Sequence, residues 1–220
     1  MMATFVIEIA LMLWVLVRYR HTMIVKLIAI MMFSLAVFQL AEYNVCEGAF
    51  GLDSVTWARI GFVAITALPA LGIHILTCIG KRPMIWLTAL SYGAMLAFMA
   101  IYAFVEQGIT NSVCGGNYVI IHTMPEANFW YGIYYYGLEI IAIAVSWWLS
   151  HRTKDKTIRR ALYGMIGAYL VLLVPTTTVN LMYPYTVEGI PSIMCGFAVI
   201  LALIVTFYVL PRVEHTKHLH

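Results

Sequence analysis

The sequence predicts an all-α, polytopic membrane protein: a bundle of seven transmembrane helices with the N-terminus outside and the C-terminus in the cytoplasm. Three observations carry that reading. Seven apolar runs fill the chain, at about 2–17, 21–44, 55–79, 84–105, 130–150, 161–182 and 192–211. Of the 13 Lys and Arg residues, all but Lys26 and Arg59 lie in alternate gaps between these runs or after the last one. Hydrophobic residues make up 63% of the chain and charged residues 10%, far from the roughly half and one quarter of soluble domains. One transmembrane domain, 1–220, accounts for the whole sequence.

A helix needs roughly 20 apolar residues to cross a hydrocarbon core, and only the first run is marginal by that measure. Its basic residues, Arg18 and Arg20, follow the apolar stretch, whereas a cleaved signal peptide carries them in front. Lys81 and Arg82 follow run three. Arg152, Lys154, Lys156, Arg159 and Arg160 follow run five, and Arg212 and Lys217 follow run seven. The positive-inside bias places all four segments in the cytoplasm. The other gaps hold Glu47 and Asp53, then Glu106 and Glu126, then Glu188. Tryptophans support the same frame, because indole rings favour the headgroup boundary: Trp57 and Trp130 fall at outer ends, and Trp14, Trp86, Trp147 and Trp148 near inner ones. The net charge of +3 is then a matter of topology and anionic lipid. It implies the bilayer as partner and no nucleic acid, in a bacterial or archaeal cytoplasmic membrane.

Between runs four and five lies the longest loop, an outer lid at 106–129. It holds a Gly-Gly-Asn turn signal followed by the β-prone Tyr118-Val-Ile-Ile, so a short hairpin over the outer mouth is expected. Cys46 and Cys114 both fall on the oxidising side and are expected to form a disulfide, the alternative being two free thiols. Closing that loop of about 68 residues would contribute ~4 kcal/mol on the chain-entropy model. Pro69 in run three and Pro175 in run six predict kinks.

Charge at membrane depth is costly enough to need a partner or a purpose. Glu8 lies in run one, Glu42 near the outer end of run two, Arg59 near that of run three and Glu139 in run five. Gln39, Tyr43, Thr176, Thr177, Thr178 and Asn180 fall at similar depth. A structural network in which Arg59 pairs with one glutamate is one reading. Three carboxylates against one cation nevertheless leave two negatives, so either a cation compensates them or they hold protons. That excess points to an outward-facing pocket for a small cationic or amine-bearing ligand, built from Glu8, Glu42, Arg59, Tyr135, Glu139, Thr177 and Asn180. Tyr134, Tyr135 and Tyr136 fan over roughly 200° of a helix, so at most two face inward. His74, the one histidine well inside a run, is either a satisfied core residue or a proton relay. The threonines after Pro175 are expected to bond back to the backbone at some positions and to line a cavity at others.

Other chemistry lacks its residues. A membrane zinc hydrolase needs several His with Asp or Glu, and a retinal protein needs a lysine that run seven does not have. Gly-x-Ser-x-Gly, Cys-x-x-Cys and His-Glu-x-x-His motifs are missing from the sequence. The expectation is a chain that is no enzyme and takes no metal and no cofactor.

Trp57-Ala-Arg-Ile followed by Pro69-Ala-Leu-Gly-Ile-His, Thr157-Ile-Arg-Arg-Ala-Leu, Val174-Pro-Thr, and Gly189-Ile-Pro-Ser opening a helix that ends Tyr208-Val-Leu-Pro-Arg run through nearly the whole chain. In this order they resemble the N-terminal seven-transmembrane sensor region of bacterial sensor histidine kinases. The resemblance implies a sensor of an outside stimulus. Here nine residues follow Pro211, so the expectation is the sensing half without the kinase, signalling through a cytoplasmic or membrane partner at 151–160. A small-molecule or proton-coupled transporter is the alternative, and a structural subunit of a membrane complex a third.

Overall fold

The computed structural model describes residues 1–115, 118–183 and 189–217. Gly116 and Asn117 of the expected turn, and Glu188, lie outside the described residues. The elements are α1 (Met2–Arg18), α2 (Met23–Glu47), α3 (Ser54–Thr66), α4 (Leu68–Ile79), α5 (Ile85–Phe104), β1 (Ile109–Gly115), β2 (Tyr118–Thr123), α6 (Pro125–Arg152), α7 (Lys156–Met182), α8 (Ile190–Ile204) and α9 (Leu210–Lys217). Among the described residues six stretches are long and apolar enough to cross a membrane: α2, α3 with α4, α5, α6, α7, and α8 through Glu214. They mark an integral membrane protein. The first helix has 17 residues and rises about 25 Å, short of the ~30 Å of a hydrocarbon core.

Local chemistry explains where the helices stop and bend. Gly48 ends α2 in the left-handed region, φ 67°, where a residue without Cβ meets no steric penalty. Pro69 removes one N–H from the third run, and the helix breaks at Ala67 into α3 and α4. The seventh run is interrupted differently, by a π-helical turn over Val205–Val209 that leads into α9. Asp155 caps α7, its carboxylate accepting from the N–H of Thr157 at 2.7 Å and of Ile158 at 3.3 Å, as an N-cap aspartate does. Pro175 is carried inside α7 without ending it.

Helix α4 holds the centre. It packs against α2, α5, α6 and α7, and Ala70, Ile73, Ile75 and Leu76 are fully buried. Helix α5 lies at the edge: Ser91 and Tyr102 are its buried residues, while Trp86, Leu90 and Phe104 are exposed. At one end of the bundle the Thr22 hydroxyl donates to Glu214 at 3.1 Å, and Arg82 and Arg152 lie 5.8 and 5.5 Å from the ring centre of Trp148. The basic loops therefore share that end.

The β-hairpin occupies the other end. Its strands are antiparallel, with Cys114 directly opposite Val119, and Val119 and Ile121 turn inward on alternate residues. Two bonds fix this rung. Cys114 is joined by a disulfide to Cys46 near the end of α2, Cα to Cα 5.8 Å, and the Val119 N–H donates to the Ser192 hydroxyl of α8 at 3.1 Å. The expected hairpin and the expected disulfide are both present. Oxidised protein should unfold at a higher temperature than the Cys46→Ser/Cys114→Ser variant, by up to ~4 kcal/mol on the chain-entropy model. Reduced wild type should match that variant in a thermal melt; coincident melts of oxidised protein and variant would mean that the bond contributes no stability.

Candidate functional site

Between α6 and α8, beneath the end of β2, a cavity of about 430 Å³ opens at the hairpin end. Phe129, Tyr131, Gly132, Tyr135 and Tyr136 of α6 form one wall, Ile190, Pro191 and Met194 of α8 another, and Thr123 of β2 and Ile65 of α3 complete it. Tyr135 and Met194 also line a second, inner chamber of about 30 Å³, whose other walls include Glu139, Tyr169, Cys195, Pro69, Leu35 and Leu201. The two chambers adjoin at Tyr135 and Met194, a wide aromatic mouth beside a narrow floor. The floor has room for one or two atoms of water size.

The helical repeat on α6 builds this wall. Tyr131, Tyr135, Glu139 and Ala142 recur at three- or four-residue intervals and are all buried, the spacing of one helix face. Glu139 is 3% exposed, and its Oε2 has no hydrogen-bond partner. Tyr135, Tyr136 and Tyr169 all lie within its electrostatic reach. A buried polar oxygen left unpartnered costs free energy that a bonding ligand would recover. The neighbouring tyrosine serves the fold instead: the break at Ala67 leaves the Thr66 carbonyl to accept from the Tyr134 hydroxyl at 2.7 Å. Tyr134 and Tyr135 are buried and Tyr136 half-buried, in line with the limit of two inward-facing rings.

Tyr169 reaches the floor because α4 carries glycine opposite it. A Cβ at Gly72 would lie 2.3 Å from the Tyr169 hydroxyl, well inside van der Waals contact.

The other predicted site residues separate into distinct places. Glu8 and Glu42 are buried on α1 and α2, within electrostatic reach of each other and of Cys195, but they do not line the cavity. Both Glu8 oxygens and Glu42 Oε1 lack hydrogen-bond partners. Ser192 hydrogen-bonds Glu42, so the hydroxyl that holds the hairpin also holds this carboxylate. Beside them Thr4 donates to Gln39 at 2.8 Å.

Three residues do not join the glutamates. Arg59 donates to the carbonyls of Ala103 at 3.2 Å and Glu106 at 2.8 Å, so the end of α5, rather than a glutamate, takes its charge-assisted bonds. Thr177 is exposed because the inward position of that turn belongs to Thr176, which is buried and bonds back to the Leu172 carbonyl at 2.7 Å. Thr178 bonds back likewise, to Val174. Asn180 is half-buried with an unpartnered Oδ1, off the cavity walls. His74 pairs with the Tyr92 hydroxyl on α5 at 3.0 Å, also away from the floor.

Tyr131, Tyr169, Met194 and Ser192 escaped the sequence reading. For Tyr169 a signal exists: with Met165, Leu172 and Thr176 it recurs at helical spacing on the buried face of α7. Ser192 had none, since its role depends on the strand laid across it.

No family model and no curated protein matches the chain.

Replacing Gly72 with alanine should destabilise the protein by roughly 1–3 kcal/mol through overpacking. In a Tyr169→Phe background the same change should be neutral or stabilising, because the clashing oxygen is gone and alanine suits a helix better than glycine. Thermal melts of the four proteins in this cycle test the packing; an equal effect in both backgrounds would contradict it.

Proposed function

We propose that this protein is a membrane sensor or ligand-binding module that takes a small amine-bearing cation into the aromatic cavity, with the ammonium group against Glu139. The carrying observation is the unpartnered carboxylate oxygen on the floor of a cavity that opens through tyrosines. Chamber sizes match such a ligand in two parts: about 30 Å³ for the ammonium head and about 430 Å³ for an apolar or aromatic body. Tyrosine faces around the neck attract a cation through their ring quadrupoles.

In the same proposal the chain crosses the membrane seven times, α1 included, with the N-terminus outside. What supports this is the clustering of Arg18, Arg20, Lys81, Arg82, Arg152 and Arg212 at the end away from the hairpin. The cavity then opens outward, and the 151–160 segment faces the cytoplasm, where a partner would receive the signal. A sensing role accords with the resemblance to histidine-kinase sensor regions. The floor favours a binding site over a transport path, since Leu35, Leu172 and Leu201 wall it with apolar groups.

Purified protein screened by thermal shift against alkyl, aryl and quaternary amines should be stabilised by at least one class. Ligand at a hundred times its Kd contributes about 2.7 kcal/mol. Glu139→Gln should weaken that stabilisation by tenfold or more in concentration, about 1.4 kcal/mol, whereas Glu8→Gln, off the cavity, should retain it. An amine that shifts wild type and Glu139→Gln equally would overturn the assignment of Glu139.

A further inference from the structure

Arg59 sits where two surface hollows meet, neither sharing a lining residue with the Glu139 cavity. One is an apolar groove of about 520 Å³ between α2, α3 and α5, walled by Phe33, Val37, Ile60, Val63 and Met99. The other, toward the hairpin, is a polar notch of about 780 Å³ edged by Asp53, Glu106 and Gln107. Thr56 and Arg59 line both. The two bonds from Arg59 to the Ala103 and Glu106 carbonyls hold the guanidinium at this seam and leave further N–H donors of its fork for a ligand.

We propose that the seam binds a phospholipid with a zwitterionic, primary-amine headgroup, a phosphatidylethanolamine. One acyl chain lies in the groove, the phosphate meets Arg59, and the ammonium faces Asp53 and Glu106. Three features select this occupant. The groove is an open apolar trough on the outside of the bundle, and exposed Phe33 turns it toward the hydrocarbon around a membrane protein. Guanidinium is the side chain best matched to phosphate oxygens. Beyond it stand two exposed carboxylates, which repel a purely anionic headgroup and attract an ammonium. The Thr56 hydroxyl donates to the Asp53 carboxylate and holds that carboxyl below its usual range, so the negative charge is present at neutral pH. A choline headgroup carries the cation but has no N–H to donate to these oxygens.

Native mass spectrometry of the delipidated full-length chain, titrated in detergent with dioleoyl phosphatidylethanolamine, phosphatidylglycerol and phosphatidylcholine, tests the site. Wild type should bind the ethanolamine lipid about tenfold more tightly than the other two, the worth of one charge-assisted hydrogen bond. Arg59→Gln should weaken all three. Asp53→Asn combined with Glu106→Gln, both at exposed positions, should abolish the preference, weakening the ethanolamine lipid most, phosphatidylcholine less, and phosphatidylglycerol not at all. The proposal is overturned if wild type binds the three lipids equally, or if the ethanolamine preference survives the carboxylate pair's neutralisation. Should Arg59→Gln fail to fold, the carboxylate variant decides the question alone.

Discussion

In hydrocarbon a polar group has to find its hydrogen-bond partner inside the chain, and this bundle is organised around that constraint. Hydroxyls fold back onto their own helices: Thr66 to Phe62, Ser91 to Leu87, Ser150 to Trp147, Thr176 to Leu172. Tyr134 takes up the carbonyl released where the third run breaks, and Arg59 takes up carbonyls at the end of α5. With so much of the polar content satisfied, the exceptions stand out. Glu8, Glu42 and Glu139 are buried with oxygens that have no hydrogen-bond partner among the described residues. Of these, Glu139 lines the narrow chamber beside the aromatic cavity.

Helix α8 connects the cavity to the rest of that end. Within four residues it presents Ser192 to the hairpin and to Glu42, Met194 to both chambers, and Cys195 to the inner chamber. The hairpin is fixed on the opposite edge of the same rung by the Cys46–Cys114 bond to α2. Glu42 and Cys46 lie one turn apart on α2, so the covalent and the hydrogen-bonded anchors converge on one stretch of helix. In the proposed reading, a ligand against Met194 would push on the helix that carries the hairpin's second anchor. That coupling is the mechanical argument for the proposed sensing role.

Much of this was legible in the residues. Apolar run length located the helices, because spanning length and backbone satisfaction leave little choice in lipid. The hairpin was readable in Tyr118-Val-Ile-Ile, and the disulfide in two cysteines that share a side. Depth along the chain proved a poor guide to side-chain direction. Arg59 and Thr177 lie near the hairpin-side ends of their helices and Glu139 at the middle of its own, and at each position helix phase decides the direction: Arg59 to the α3–α5 surface, Thr177 outward and Glu139 inward. Phase was recoverable for α6 from the spacing of Tyr131, Tyr135 and Glu139, and for α7 from that of Met165, Tyr169, Leu172 and Thr176. It could not reveal that Gly72 makes room for Tyr169, or that a strand N–H would seek Ser192, since both depend on tertiary neighbours.

The central claim is that Glu139 makes the cavity floor selective for cations that arrive from outside. It is tested most directly by charged, membrane-impermeant methanethiosulfonates added to intact cells. Single reporter cysteines would be placed at Gly132 in the mouth and Met194 at the neck, with Cys78 and Cys195 replaced by serine. The account predicts that the ratio of trimethylammonium to sulfonate modification rates rises from the mouth to the neck and that Glu139→Gln removes the rise. Equal ratios at the two positions, or a rise that persists in Glu139→Gln, would contradict it.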